Sequence, residues 1–101
     1  MWLQVIFDLP VGSKKERKEA SQFRLALLER GFEMEQFSVY LRCCPDKSFA
    51  EKIMRQIEGV LPESGSVKML AFTDKQYENI RSFQGTTLGK SRKNPGQLQL
   101  F

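Results

Sequence analysis

No histidine occurs anywhere in the 101 residues. That absence removes Ser-His-Asp and Cys-His nucleophile activation, paired-histidine RNA cleavage and histidine-bound zinc. Any hydrolysis must therefore rest on carboxylates, a metal ion, or both. Cysteine is limited to the adjacent pair Cys43 and Cys44. Neighbours on a strand point to opposite faces, so a bridge between them is strained. They read as one core thiol and one semi-exposed thiol in a reducing compartment. No stretch is long or apolar enough to span a membrane. The first residues read as a strand and lack the basic flank of a signal peptide, so a cytoplasmic protein with no membrane partner is expected.

What the chain does carry is positive charge in groups. Sixteen lysines and arginines face twelve acidic residues, for a formal net charge of +4. That balance favours polyanion partners without proving one. The length fits one domain, and a domain this small gains from burying more surface through self-association.

Trp2 to Asp8 is rich in apolar and β-forming residues and is closed by Leu9-Pro10-Val11-Gly12, which predicts a strand. Ser13 and Glu16 have capping-box spacing and open a helix ended by Gly31, with Ala20, Phe23 and Leu27 as its buried stripe. Phe32 to Cys44 is extended and splits near Phe37 or Ser38 into a short strand and a longer one. Ser48 and Glu51 offer a second capping box, for a helix burying Phe49, Ile53, Ile57 and Val60. Ser66 to Phe72 reads as another strand, and Thr73 begins a short helix reaching about Ser82. Asp74, Lys75 and Tyr77 look like surface positions on it. Gln84 to Gly96 is loop-like, and Gln97 to Phe101 alternates as a strand would. That terminal strand is expected on a sheet edge.

This order, β-α-β-β-α-β with a C-terminal extension, is the α+β ferredoxin-like pattern. Residues 1–82 make the domain, and residues 83–101 add a basic loop and a terminal strand to it. Helices cover one sheet face only, yet both faces carry large apolar groups. Leu3, Val5 and Phe7 share one face of the first strand, while Trp2, Gln4, Ile6 and Asp8 share the other. On the last core strand Val67, Met69 and Ala71 oppose Lys68, Leu70 and Phe72. A homodimer joined sheet to sheet is the simplest cover for the second face.

Asp8 ends the first strand on the Ile6 face. In a two-fold dimer the two Asp8 carboxylates can approach one another across the interface. Paired carboxylates beside phosphate suit Mg²⁺, which takes oxygen ligands and keeps several waters. The competing role for Asp8 is to cap the strand-to-loop turn. Lys14, Lys15, Arg17 and Lys18 crowd the first helix's opening turns, where cations oppose the helix dipole. With the free N–H groups of the helix start they suit a phosphate backbone; the alternative is an ordinary solvated face. Lys90, Arg92 and Lys93 form a second basic cluster, read either as a polyanion contact or as a solubilising loop.

Val5-Ile-Phe-Asp-Leu-Pro-Val11, the Lys14-to-Ala20 run, Phe23 to Leu28, Gly31-Phe32 and Gln36-Phe-Ser-Val-Tyr40 together resemble the Cas Two family. This is the small CRISPR-associated endoribonuclease and adaptation subunit. The resemblance runs through the Ser66-to-Phe72 strand, and the ending looks most like members from type II systems. It implies a ferredoxin-like homodimer in which Asp8 corresponds to the family's metal-binding, catalytic aspartate, with Mg²⁺ as cofactor. It also implies a complex with the Cas One integrase, in which the dimer bridges two integrase dimers and supports double-stranded spacer DNA. Some members are Mg²⁺-dependent nucleases on RNA or DNA, and others act as scaffolds.

Two functions therefore stand side by side: a nucleic-acid-binding adaptation subunit, and an endonuclease whose main role is catalytic. A ferredoxin-like RNA-recognition module is disfavoured. Its sheet needs exposed stacking residues, and that face is expected to be buried here.

Overall fold

The computed structural model describes residues 1–85. The expected terminal strand from Gln97 to Phe101 lies outside them. The elements run β1 (Trp2–Asp8), α1 (Lys14–Glu29), β2 (Glu33–Gln36), β3 (Val39–Cys43), α2 (Lys47–Glu58), β4 (Ser66–Phe72) and α3 (Asp74–Glu78). The sheet is antiparallel in the order β2-β3-β1-β4, the ferredoxin-like arrangement.

Local chemistry explains where α1 begins and ends. Ser13 accepts from the Glu16 backbone N–H at 3.1 Å, and the Glu16 carboxylate accepts from the Ser13 N–H at 3.0 Å. Two donors that would otherwise be orphaned are thus satisfied reciprocally. At the other end, Phe32 N–H donates to Leu27 and Gly31 N–H to Leu28. Gly31 sits at φ 85°, so the helix closes in a Schellman motif that needs glycine. Arg42 crosses over Gly31, filling the space a side chain would need.

The second helix starts two residues earlier than the Ser48–Glu51 pairing predicts. Asp46 is the cap, with its carboxylate accepting from Phe49 N–H at 2.8 Å. Its extended backbone makes it the last non-helical residue, which leaves Ser48 inside the first turn. The buried stripe shifts accordingly to Ala50, Ile53 and Ile57, with Phe49 and Val60 half-buried.

The core lies between the sheet and helices α1 and α2. Leu3, Val5 and Phe7 of β1 and Tyr40 of β3 meet Phe23, Leu27, Ile53 and Ile57. Phe7 packs edge-on to Phe23 at 5.3 Å between ring centroids. Cys44 is buried and Cys43 exposed, and both are free thiols.

The second face of the sheet carries the residues that strand parity predicts. Trp2 pairs with Phe72, Gln4 with Leu70, Ile6 with Lys68 and Asp8 with Ser66 across β1 and β4. Val39, Leu41 and Cys43 of β3 continue this face. Part of it is covered within the chain itself. Tyr77 of α3 is not a bare surface residue: its ring stacks on Trp2 at 4.0 Å and 15°, and lies 6.4 Å from Phe72. Such stacking contributes about 0.5–1.5 kcal/mol beyond area burial. The helix ends at Glu78, short of Ser82, because Asn79 closes it by donating back to Lys75 and Gln76. Beyond this cap Ile6, Val39 and Leu41 stay half-buried, and Leu70 is 43% exposed.

A further tie holds α3 in place. The Met1 ammonium donates to Asp74 at 2.7 Å. Asp74 thereby raises the amine's pKa above its ordinary 8.0. A raised pKa means this contribution is complete below pH 8 and fades as pH climbs through the folded-state value. Trp2 is the single tryptophan, so its emission reports on this contact. Between about pH 8 and about pH 9.5, below the ordinary tyrosine range, Trp2 fluorescence is expected to drift toward the solvent-exposed signal. The Asp74→Asn variant is expected to show no such drift, and an identical drift in both would rule out this linkage.

Candidate nucleic-acid and metal site

β1 is central in the sheet, and its last residue is Asp8. Because β1 pairs with β4 through Asp8 and Ser66, the Asp8 backbone is fixed up to the end of the ladder. Its side chain is exposed on the Ile6 face, as parity predicts. Among the described residues its carboxylate has no hydrogen-bond or ion-pair partner, so it does not cap the turn that follows. Nor do the described residues hold any group of three metal-ligating carboxylates or thiols. Among the described residues, Asp8 brings one carboxylate to this strand end, with Ser66 opposite it in register.

A residue that the sequence reading did not single out shapes this corner. Gly65, just before β4, has φ 93°. A Cβ there would lie 2.7 Å from the Asp8 carbonyl oxygen and 2.8 Å from Leu9 Cδ2. The chain can turn into β4 this close to Asp8 only with glycine. The signal was present in Glu63-Ser-Gly-Ser66, a turn composition, but its contact with Asp8 is long-range.

The opening of α1 follows five residues after Asp8, and its four cations are all exposed. They are not equivalent. Lys15 reaches Glu63 at 3.2 Å and Glu19 at 4.0 Å, and the Glu63 hydrogen bond raises its pKa. Arg17 donates to the Val11 carbonyl at 3.3 Å, bracing the connection from Asp8. Lys14 and Lys18 have no recorded carboxylate partner among the described residues, leaving their charges available. Lys90, Arg92 and Lys93 lie outside the described residues.

Two arginines that the sequence reading passed over sit against aromatic rings. Arg24 of α1 lies 5.6 Å from the Phe7 centroid and 4.7 Å from that of Phe37. Arg42 lies 4.9 Å from Phe49 and donates to the Arg30 carbonyl at 2.7 Å. The β2–β3 turn holding Phe37 is drawn to the Asp8 end of β1 by Phe7 N–H donating to Ser38 at 3.1 Å.

Comparison with known proteins agrees with this arrangement. Residues 1–80 match the family model described as CRISPR associated protein Cas2. The chain belongs to the Cas2 family. A relative from Paracidovorax avenae, named CRISPR-associated endoribonuclease Cas2, is 50% identical over the whole chain and 94% of its own length. One of the same name from Flavobacterium psychrophilum is 43% identical over the whole chain and 88% of its length. The crystal structure of Streptococcus pyogenes Cas2 superposes with a TM-score of 0.61, over 83% of this chain and all of that one. At 14% identity that likeness supports the fold alone. Among the described residues, no helix is long and apolar enough to cross a membrane.

The Gly65 contact yields a direct test. Gly65→Ala is expected to cost about 1–3 kcal/mol, because both the backbone conformation and the space exclude a side chain. Gly12→Ala, whose Cβ would meet only Glu16 Oε1 at 3.5 Å, is expected to be nearly neutral. Urea midpoints of the two variants check this, and equal midpoints would show that Gly65 is not constrained.

Proposed function

We propose that this Cas2-family chain is a nucleic-acid-binding subunit of CRISPR spacer acquisition. It acts as a homodimer that bridges dimers of the Cas One integrase and supports double-stranded DNA. Phosphodiester cleavage through Asp8 is a secondary capacity. The observation that carries this reading is a carboxylate without a structural task, held at the end of the central strand beside a basic helix start. A charge with no bonding partner among the described residues is available to a ligand. The neighbouring Lys14 and Lys18, with the N–H groups opening α1, suit phosphates. The basic residues of the C-terminal segment, Lys90, Arg92 and Lys93, add positive charge for a polyanion in this reading.

The donor set fits Mg²⁺ when two copies are counted. One or two carboxylates plus waters and substrate phosphate are its usual ligands, and Asp8 from each copy supplies the protein share. Bound there, the ion would neutralise phosphate charge and lower the pKa of a coordinated water. The chain's own part is to hold Asp8 on the sheet end and to steer the backbone by charge.

The second reading, an endonuclease acting chiefly on RNA, is favoured by the relatives' shared name of endoribonuclease. Against its being the main role, the chain has no histidine to serve as general base.

Asp8→Asn separates the two. The carboxylate has no bonding partner among the described residues, so the variant is expected to keep its fold within about 0.5 kcal/mol. Mg²⁺-dependent cleavage of RNA and DNA should be lost, because Asn removes the charge a hard cation needs. Integrase binding and spacer capture are expected to stay near wild type. Equal loss of cleavage and capture in a folded variant would favour the catalytic reading.

A further inference from the structure

Phe37 is the most exposed of the large apolar residues described, at 72%, and it stands at the tip of the β2–β3 turn. Its ring is not loose. The Arg24 guanidinium lies 4.7 Å from the ring centroid and is itself fixed against Phe7. Arg24 Nε is buried without a hydrogen-bond partner, so ring contacts orient this side chain. The result is an aromatic ring backed by a cation on one side and open to solvent on the other. Arg24 also ends a line of positive charge. Lys14 and Arg17 are exposed along one stripe of α1, and Arg24, two turns and about 10 Å beyond Arg17 on the same side, is half-buried at the edge of that stripe. A basic track that leads to an exposed aromatic is the pairing that holds single-stranded nucleic acid, phosphates on the track and a base on the ring.

We propose that Phe37, backed by Arg24, is a stacking platform for an unpaired base of a strand whose phosphates follow the α1 stripe. The proposal rests on the nucleic-acid reading above and adds a residue and a strand state to it. The sheet face is not the stacking surface: Trp2 and Tyr77 are already stacked on each other there. Stacking accepts any base, so the platform recognises strand ends or splayed nucleotides by their being unpaired.

The test uses the full chain and three probes of equal charge: an unstructured DNA strand, the same sequence as RNA, and a blunt duplex. Phe37→Leu keeps an apolar side chain but removes the π-face. It is expected to weaken both single strands by about tenfold while leaving the duplex and the salt dependence unchanged. Phe37→Trp is expected to bind the single strands at least as well as wild type. Lys14→Glu is expected to weaken all three probes and flatten the log–log salt slope, by about 0.9 per lost contact on duplex. If Lys14→Glu weakens binding but Phe37→Leu does not, the platform is refuted and the basic-helix reading survives. If wild type binds no probe, both fall. Loss of one single strand but not the other limits the platform to that sugar and overturns the claim that stacking alone recognises the base. A change of solution mass in Phe37→Leu would place Phe37 in a contact between copies and also overturn the platform.

Discussion

Everything in this fold depends on β1 being apolar on both faces while standing in the middle of the sheet. Leu3, Val5 and Phe7 anchor both helices to one face and are almost wholly buried. Trp2 and Ile6 leave the opposite face half-buried, with Leu70 and Leu41 beside them. Helices α1 and α2 cover only the first face, so the chain needs cover for the second. It supplies some itself, through Tyr77 on Trp2. The rest is the surface we assign to a second copy.

The same strand sets the geometry of the candidate site. Asp8 belongs to the partially covered face because it is two residues from Ile6, and the strand period is two. The carboxylate and the dimer surface are therefore linked by parity: whatever covers Ile6 approaches Asp8. A two-fold partner would bring its own Asp8 to the same place, adding to a donor set that the described residues of one chain do not contain. The basic start of α1 stands outside this seam, joined to it by a connection that Arg17 braces at Val11. In the proposed reading, phosphate binding and carboxylate pairing would thus use adjoining surfaces without competing for one.

The local features were legible because their causes are local. Ser13 and Glu16 satisfy each other within one turn, and Gly31 allows the only backbone that closes α1 against Leu27 and Leu28. The break at Phe37 and Ser38 and the two faces of β1 likewise follow from alternation. The Ser48–Glu51 box failed because Asp46 offers a stronger acceptor two residues earlier, and spacing alone does not rank the two. Tyr77 was misread because its partner Trp2 is 75 residues away in the chain, beyond the reach of any periodicity. Separation in sequence likewise hid Gly65 behind Asp8 and Arg24 behind Phe37, contacts that join different elements. Sequence pattern pointed to Asp8 and the α1 lysines as chemistry-bearing. It did not show that Lys15 is engaged by Glu63 while Lys14 is not, a difference created by the loop before β4.

The central claim is that the second sheet face is closed by another copy of the chain. Sedimentation equilibrium of the wild type and of Ile6→Glu, at micromolar concentration, tests it most directly. Ile6 is on that face and away from the helix-packed core, so a carboxylate there disrupts a sheet-to-sheet contact by burying an unpaired charge. The account predicts a mass of two chains for the wild type and of one folded chain for the variant. A wild type that sediments as a single chain would contradict it.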